Sequence, residues 1–315
     1  MTSRAREIRI DVCVCTFRRP ELAAALQSLS RLRVPAGAQV EILVVDNDET
    51  PSARGIVAAM RARMPFEVRY VHCPAGNISI ARNGALENSQ ARLLAFIDDD
   101  ETVDADWLVN LVRVWQARGP DVVLGPVRAI YDDRAPEWMK RLDPHSTEPV
   151  FVDGVIETGY SCNVLMDRAS AAVRGLRFDL ALGRSGGEDT KFFAQVFQRG
   201  GRLDYARDAT VYEIVPENRQ SFRWLVRRRL RMGHTHGRLV GAAGHATARL
   251  RQVLLASAKI GYCAVAALAG LPSRKARNAA ILRGTLHLGV VLGLLGTASM
   301  QHYATELADA ADRGA

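Results

Sequence analysis

The chain has 315 residues, with 42 Lys and Arg against 34 Asp and Glu, a formal net charge of +8, 48% apolar residues and 24% charged ones. This composition excludes a disordered chain, a collagen-like repeat and a disulfide-knotted mini-protein, because length and apolar content suffice for a large core. A polytopic membrane protein is disfavoured, since no stretch before residue 250 approaches the roughly twenty uninterrupted apolar residues of a membrane span.

In chain order, strands and helices take turns. Ile8 to Cys15 is a β-branched run, and Pro20, Glu21 and the Ala/Leu stretch to Leu32 predict a helix with Pro near its first turn. Val40 to Val45 predicts a buried strand, Ser52 to Met64 a helix, Val68 to His72 a third strand and Ile78 to Gln90 a third helix. Leu93 to Ile97 predicts a fourth strand ending in acid, followed by a helix over Asp106 to Arg118 and a strand over Val122 to Val127. The alternation predicts an α/β fold with a mostly parallel central sheet and helices on both faces. In such sheets ligands bind outside the carboxyl ends of the strands.

The acids lie where that rule wants them. Val44-Val45-Asp46-Asn47-Asp48 ends the second strand, and Phe96-Ile97-Asp98-Asp99-Asp100-Glu101 ends the fourth with four carboxylates in a row. Adjacent carboxylates raise one another's pKa, so a compensating cation or set of donors is expected. Oxygen ligands with no nearby His or Cys point to Mg²⁺ or Mn²⁺ rather than zinc. The alternative is a solvated acidic turn that favours a helix dipole.

Further on, Leu182 to Phe193 contains Gly183, Gly186 and Gly187 ahead of Glu188-Asp189, and Phe192, Phe193, Val196 and Phe197 recur at helical spacing. The acids therefore open a helix, whose dipole keeps a carboxylate ionised as a general base requires. From Arg219 to Arg238 there are seven arginines with Trp224, His234 and His236 among them. Arg223 and Arg227 are four apart on one helical face, suited to anionic oxygen, and Trp224 offers a flat surface for a sugar ring. A nucleic-acid site is disfavoured, because aromatic interleaving is sparse and no known module frames the stripe.

The sequence resembles the family 2 glycosyltransferases of the GT-A fold, in particular bacterial exopolysaccharide transferases of the succinoglycan-assembly type. The resemblance covers roughly residues 8 to 235. It rests on Val14 to Pro20, Val45-Asp46-Asn47, Asn77 with Ala81-Arg82-Asn83, Ile97 to Asp100, and Gly187-Glu188-Asp189 in that order and spacing. It implies that Thr16, Arg18 with Arg19, and Asp46 hold the nucleotide base and ribose, and that Arg82 and Asn83 reach the diphosphate or the base. Plainer readings are a helix-capping role for Thr16 and an ion pair of Arg82 with Glu87 or another acid. The Asp-x-Asp of the family maps onto Asp98 and Asp100, with Asp99 between them and the register open by one. The last Asp holds the metal and the earlier acids, Asp98 and Asp99, serve the donor as well.

The resemblance assigns the base to Asp189, with Glu188 orienting the acceptor. A first-turn carboxylate pair is the plainer reading. Gln220-Ser221-Phe222-Arg223-Trp224 matches the Gln-x-x-Arg-Trp motif of processive members, in which this segment lies on the donor diphosphate and acceptor terminus, and Arg227 extends it. Arg228, Arg229 and Arg231 equally suit a juxtamembrane basic helix. Arg134, Glu137 and Trp138, with the stretch to Pro149, are expected to form an acceptor-side insertion, with Trp138 as a stacking platform.

Beyond residue 250 the composition changes. Val253 to Leu271 is apolar apart from Ser257 and Lys259, and Ala279 to Ala298 carries Arg283 and His287 among mainly apolar residues, with Arg274, Lys275 and Arg277 between the two segments. Two crossings would put that basic loop outside, against the positive-inside tendency, so an interfacial or re-entrant pair is expected in place of committed spans. A soluble helical hairpin is the alternative. The expected organisation is a GT-A catalytic domain over 1–240 and a helical membrane-associated region over 241–315.

The five cysteines are scattered, with no C-x-x-C, and Met1 to Arg9 lacks an apolar signal core, so a cytoplasmic catalytic part at the inner membrane is expected. The function expected is inverting transfer of a sugar, glucose from UDP-glucose by family habit, to a hydroxyl of a lipid-linked oligosaccharide in exopolysaccharide synthesis. Alternatives are a processive polysaccharide synthase and a non-catalytic membrane-bound scaffold. A nucleotidyltransferase is disfavoured, as no Gly-rich triphosphate loop with a Lys follows the first strand.

Overall fold

Strand β1, Ile8–Thr16, sends Ile10, Val12 and Val14 into one buried apolar cluster and Cys13 and Cys15 into another. A strand buried on both faces belongs inside a sheet that is covered on both sides. The computed structural model describes residues 7–243 and 245–297. After β1 come α1 (Leu22–Leu29), β2 (Ala38–Asp46), α2 (Arg54–Arg61), β3 (Glu67–His72), α3 (Ile78–Asn88), β4 (Leu93–Asp98), β5 (Glu101–Val103) and α4 (Trp107–Arg118). Then follow β6 (Val122–Leu124), β7 (Val127–Ile130), α5 (Glu137–Leu142), β8 (Phe151–Val152), β9 (Val155–Ile156), β10 (Asn163–Asp167), α6 (Glu188–Gln198), β11 (Leu203–Tyr205) and β12 (Val211–Ile214). Three long helices close the described chain, α7 (Phe222–Ala243), α8 (Ala246–Ala269) and α9 (Arg274–Leu294).

The main sheet has seven strands in the order β11-β6-β10-β4-β1-β2-β3, parallel except for β10, which runs antiparallel to both its neighbours. On one face Leu22, Leu26, Trp107, Leu108 and Leu111 of α1 and α4 cover Val12, Ile42 and Ala95. On the other, Ala81 and Ala85 of α3 and Phe192, Phe193 and Val196 of α6 cover Cys13, Leu43 and Phe96. The mostly parallel, doubly covered sheet read from the sequence is the one observed.

The strand expected over Val122 to Val127 is divided at Gly125-Pro126. Gly125 lies so close to the Asn163 side chain and the Ala209 carbonyl that a Cβ there would collide with both. Pro126 has no N–H to extend a ladder. The chain therefore leaves the main sheet, and β7 joins a small sheet of order β5-β12-β7.

The chain divides into two compact units. The first takes residues up to 129, 146–184 and 188–214, and holds the main sheet. The second takes 130–145, 185–187 and everything from 215 on. The boundary expected at residue 240 falls inside α7. Within the second unit α7 and α9 touch backbone to backbone: a Cβ on Gly233 or Gly237 would strike the carbonyls of Leu286 or Val290, and one on Gly289 or Gly293 those of Leu230 or His234. Small residues four apart on both helices permit that approach.

Of the two apolar segments expected to meet a membrane, only α8, among the described residues, is both long and apolar enough to cross one, and little of it is buried. The second runs within α9, where Leu282, Gly289, Gly293 and Leu294 are buried against protein. Helix packing, not lipid, absorbs that part of the segment. Residues 298–315, where the expected segment ends, lie outside the described residues.

Candidate active site at the carboxyl edge of the sheet

Parallel pairing places the strand ends together. Thr16 is opposite Asp46 across β1 and β2, and Cys15 is opposite Asp98 across β1 and β4. The first unit thus gathers its strand-end acids along one edge, as the crevice rule anticipates.

Asp46 does not face that crevice. It is fully buried, with Oδ1 accepting from the Asp48 N–H at 3.1 Å and Oδ2 from the Ala53 N–H at 2.9 Å and the Tyr70 hydroxyl at 2.7 Å. The expectation that it meets base or ribose directly is corrected: its acceptor capacity is spent on tying the loop after β2 to α2 and β3. The acid after β2 that meets the β1 loop is Asp48, which the sequence pattern left without a role although it stands two residues on. Asp48 Oδ1 accepts from Arg18 Nε at 2.8 Å, and Arg18 holds a left-handed φ of 52° to make that bond. Burial works to raise the Asp48 carboxyl, but hydrogen bonds from Arg18, Ser52 and Thr50 bring it below its ordinary value.

The Asp98 to Glu101 run is divided between two directions. Asp98 has 43% of its side chain open and Asp100 has 17%, with Arg19 3.9 Å from the latter. Desolvation pushes Asp98 up to about 6, against the pull of Arg82 and with the charges of Asp100, Glu213 and Asp189 adding to the rise. Asp99 is buried, and burial with the Asp100 charge pushes it up to about 7, against Thr16 and Arg19. Because Asp98 is far more open, the upward push on Asp99 is the firmer of the two. Asp99 also accepts from the Phe17 N–H at 3.4 Å, which fixes the β1 loop over the strand end. Glu101 turns inward, accepts from the Asp98 N–H at 2.9 Å and is raised strongly by burial and by Asp98.

These residues fit a hard divalent cation by their chemistry. The open donors are carboxylate oxygens whose mutual repulsion a cation would relieve. Cys162 Sγ lies within 4.8 Å of ligand atoms of Asp98 and Glu101, and burial with the Glu101 charge raises its pKa well above the ordinary value.

Helix α6 begins with Glu188 and Asp189, as the aromatic spacing predicts. Asp189 is half-buried and its Oδ1 accepts from the Thr190 N–H at 2.6 Å. Glu188 is buried, its Oε1 bonded to Arg82 Nη1 and its Oε2 without a hydrogen-bond partner among the described residues. Burial raises its carboxyl even against Arg82.

Arg82 itself is buried. It bonds Glu188 and stands 3.8 Å from Asp98, and its guanidinium lies 5.7 Å from the centre of the Phe178 ring. The surface ion pair with Glu87 is not formed; Glu87 is 3.6 Å from Arg177. Nor is Arg82 an open arm of the kind expected to reach a diphosphate, because its charge is engaged by two acids.

In the second unit Arg223 and Arg227 are exposed on α7. The Trp224 ring stacks on His145 with centroids 5.3 Å apart, and the guanidiniums of Arg228 and Arg219 stand 5.4 and 5.8 Å from its centre. The surface expected to receive a sugar is thus occupied by the unit's own side chains. Trp138, expected as an acceptor platform, instead packs edge-on to Phe222 at 6.0 Å in a small cluster around Met139, Leu225 and Leu282.

Residues 11–174 match the model of Glycosyl transferase family 2. The chain belongs to that family. It is similar to the succinoglycan biosynthesis protein ExoM of Rhizobium meliloti (strain 1021), with 50% identity over 296 residues, 94% of this chain and 96% of that protein. Among solved structures it is similar to S. aureus TarS residues 1–349 in complex with UDP-GlcNAc, with a TM-score of 0.52 and 16% identity over 92% of this chain and 93% of that one. It is also similar to GalNAc-T7 with UDP, GalNAc and Mn²⁺, with a TM-score of 0.52 and 17% identity over 67% of this chain and 44% of that one. These likenesses establish the GT-A fold, and the chain is a family 2 glycosyltransferase.

Proposed function

We propose that this glycosyltransferase moves glucose from UDP-glucose, with inversion, to a hydroxyl of a lipid-linked oligosaccharide during succinoglycan-type exopolysaccharide synthesis. The observation that supports the reading is the grouping of Asp98, Glu188 and Asp189 around one buried arginine, Arg82, with Asp100 acting on Asp98, at the carboxyl edge of the first unit's sheet. The 50% identity to a succinoglycan biosynthesis protein supports the pathway, and the fold shared with a UDP-GlcNAc complex supports the nucleotide.

In this reading Asp100 and Asp98 hold Mg²⁺ or Mn²⁺; the Mn²⁺ in the GalNAc-T7 structure supports the choice of ion. When bound, the cation supplies Lewis-acid neutralisation of the departing diphosphate. Thr16, Arg18 and Asp99 line the nucleoside side, and Asp46 serves it from behind by shaping the loop that carries Asp48. Asp189 takes the proton of the acceptor hydroxyl, and the free Oε2 of Glu188 orients that acceptor. One base on the side opposite the leaving group gives a single displacement and inversion. Arg223 and Arg227 offer exposed guanidinium forks for anionic substrate oxygens, with Trp224 as their fixed neighbour.

The catalytic part is assigned to the region up to about residue 240 and membrane association to the helical region after it, at the cytoplasmic face of the inner membrane. Exposed Leu250, Leu254, Val265 and Leu268 on α8, with Arg249 and Arg251 near its start and Arg274 and Lys275 just beyond its end, support association with an anionic bilayer.

The test is a thermal-shift panel of UDP-, GDP- and dTDP-sugars with and without Mn²⁺. Stabilisation by UDP-glucose that needs the metal is expected. A response to GDP- or dTDP-sugars alone, or one indifferent to metal, overturns the donor assignment. With a lipid-linked acceptor, one added sugar is expected, whereas a ladder of products identifies a processive synthase.

A further inference from the structure

The segment from Phe178 to Gly183, which leads to the acids of α6, is held throughout by α3 and its cap. Asn83 Nδ2 donates to the Phe178 carbonyl at 2.9 Å, and the Phe178 N–H donates back to Asn83 Oδ1 at 2.8 Å. Ser79 Oγ donates to the Asp179 carbonyl at 2.8 Å and Asn77 Nδ2 to the Leu180 carbonyl at 3.0 Å. The Ile78 N–H donates to the Gly183 carbonyl at 3.2 Å, and a Cβ on Gly183 would collide with Asn77 and Ser79. Phe178 then stacks on Phe192 of α6, with centroids 4.3 Å apart and planes 11° from parallel.

Arg82 completes this arrangement from the same helix. Its guanidinium sits over Phe178 and joins Glu188, at the start of α6, to Asp98, at the end of β4. Five of these groups, Asn77, Ser79, Arg82, Asn83 and the Ile78 N–H, are spent on internal partners. Each is thereby tied into the protein's own loop structure.

We propose that Arg82, backed by Asn83, is a positioning residue that fixes the Glu188-Asp189 turn against the strand end bearing Asp98, so that proton acceptor and leaving-group site keep one spacing. The inference rests on the assignment of Asp189 as the base. A misplacement of about 1 Å between reacting groups costs about a hundredfold in rate. The loop clamped by Asn83 and the ion bridge of Arg82 oppose that drift. Water is smaller than a sugar and less demanding of orientation, so a loosened turn favours hydrolysis of the donor over transfer.

The full-length enzyme is tested with UDP and MnCl₂ by titration calorimetry, and with UDP-glucose plus lipid-linked oligosaccharide by separate measurement of transfer and hydrolysis. Arg82→Gln and Asn83→Ala are expected to keep the UDP Kd within about threefold, to lower transfer kcat by about a hundredfold and about tenfold respectively, and to raise the hydrolysed fraction. Arg82→Lys is expected to recover about tenfold of the loss, since it restores the charge without the fork. Glu188→Gln preserves volume and weakens the same bridge from its other side. The double variant with Arg82→Gln is expected to be no worse than the poorer single one within about threefold.

A UDP Kd raised about tenfold in Arg82→Gln, with kcat unchanged at saturating donor, makes Arg82 a donor ligand and overturns the proposal. Losses that multiply in the double variant overturn it as well. Asp189→Asn separates the two readings: transfer surviving that change removes the base assignment, whereas its loss beside an additive Arg82/Glu188 pair removes only the coupling.

Discussion

Tyr70 on β3 donates its hydroxyl to Asp46 Oδ2 at 2.7 Å and thereby closes, with two backbone N–H groups, the coordination of a carboxylate that has no exposure to solvent. A family signature acid is thus committed to the loop it shapes. Tyr70→Phe removes one hydrogen bond to a buried charged acceptor and is expected to destabilise the protein by about 1.5–3 kcal/mol in urea denaturation. The UDP Kd is expected to stay within about threefold, because the backbone bonds that set the loop remain. A large loss of UDP affinity at unchanged stability would return Asp46 to the nucleoside.

Asp100 and Asp189 are expected to fail in different ways. Asp100→Asn removes a metal donor and should abolish the Mn²⁺-dependent part of the UDP thermal shift. Asp189→Asn should leave that shift intact and lower transfer kcat by about 10²–10⁴-fold, the usual contribution of a general base. Thermal shift and turnover on the same preparations check both.

His145 gives the second unit a pH dependence. Burial, with Arg228 adding to it, pushes the imidazole down to about 4 from its ordinary 6.5. A lowered histidine stays neutral in the folded state while the unfolded chain takes up a proton. Stability from this group is therefore complete above about pH 6.5 and drains away as pH falls toward 4. The loss between pH 7 and pH 5 comes to ~2 kcal/mol. His145→Phe keeps an aromatic partner for Trp224 and is expected to remove that slope; equal slopes in urea denaturation at the two pH values would refute the assignment.

Gly237 and Gly261 are both helical glycines, and their alanine variants should move stability in opposite directions. A Cβ at Gly237 meets the Val290 carbonyl of α9, whereas one at Gly261 on α8 meets nothing within 4 Å. Gly237→Ala is expected to cost roughly 1–3 kcal/mol by overpacking, and Gly261→Ala to gain about 0.5–1 kcal/mol from helix propensity. Chemical denaturation of the two variants reads the signs.

The exposed face of α8 is expected to bind lipid. Leu254 and Leu268 are 62% and 67% exposed, so changing them to Glu leaves folded packing largely alone. Each change should weaken co-flotation with phosphatidylglycerol-containing vesicles by about tenfold, as burial of an apolar side chain is forfeited and an anion repels the surface. Unchanged flotation would assign that face to another partner.

Much of the site was legible because the carboxyl end of a parallel strand is a topological position that local sequence marks. A β-branched run ending in acid, repeated with a helix between, fixes both the sheet and the edge where Asp46, Asp98 and their neighbours emerge. Aromatic spacing after Glu188-Asp189 likewise fixes the start of α6. What each acid does with its oxygens was not legible. Asp46 and Asp48 are two residues apart in the same turn, yet the first is sealed by a tyrosine from β3 and the second accepts from Arg18 of the β1 loop.

Sequence by itself determined the fold, the family and the grouping of charge along one edge, since hydrophobic periodicity and motif order are properties of short stretches. Only tertiary structure decided that Arg82 is shared between Glu188 and Asp98, 106 and 16 residues away along the chain, and that Trp224 is stacked on His145. Only it decided, too, that α9 is absorbed by the glycines of α7 while α8 keeps its apolar face outward. The reason is physical: propensity and pattern act between near neighbours, whereas the partner of a buried charge or a flat ring is whatever the folded chain brings within a few ångströms.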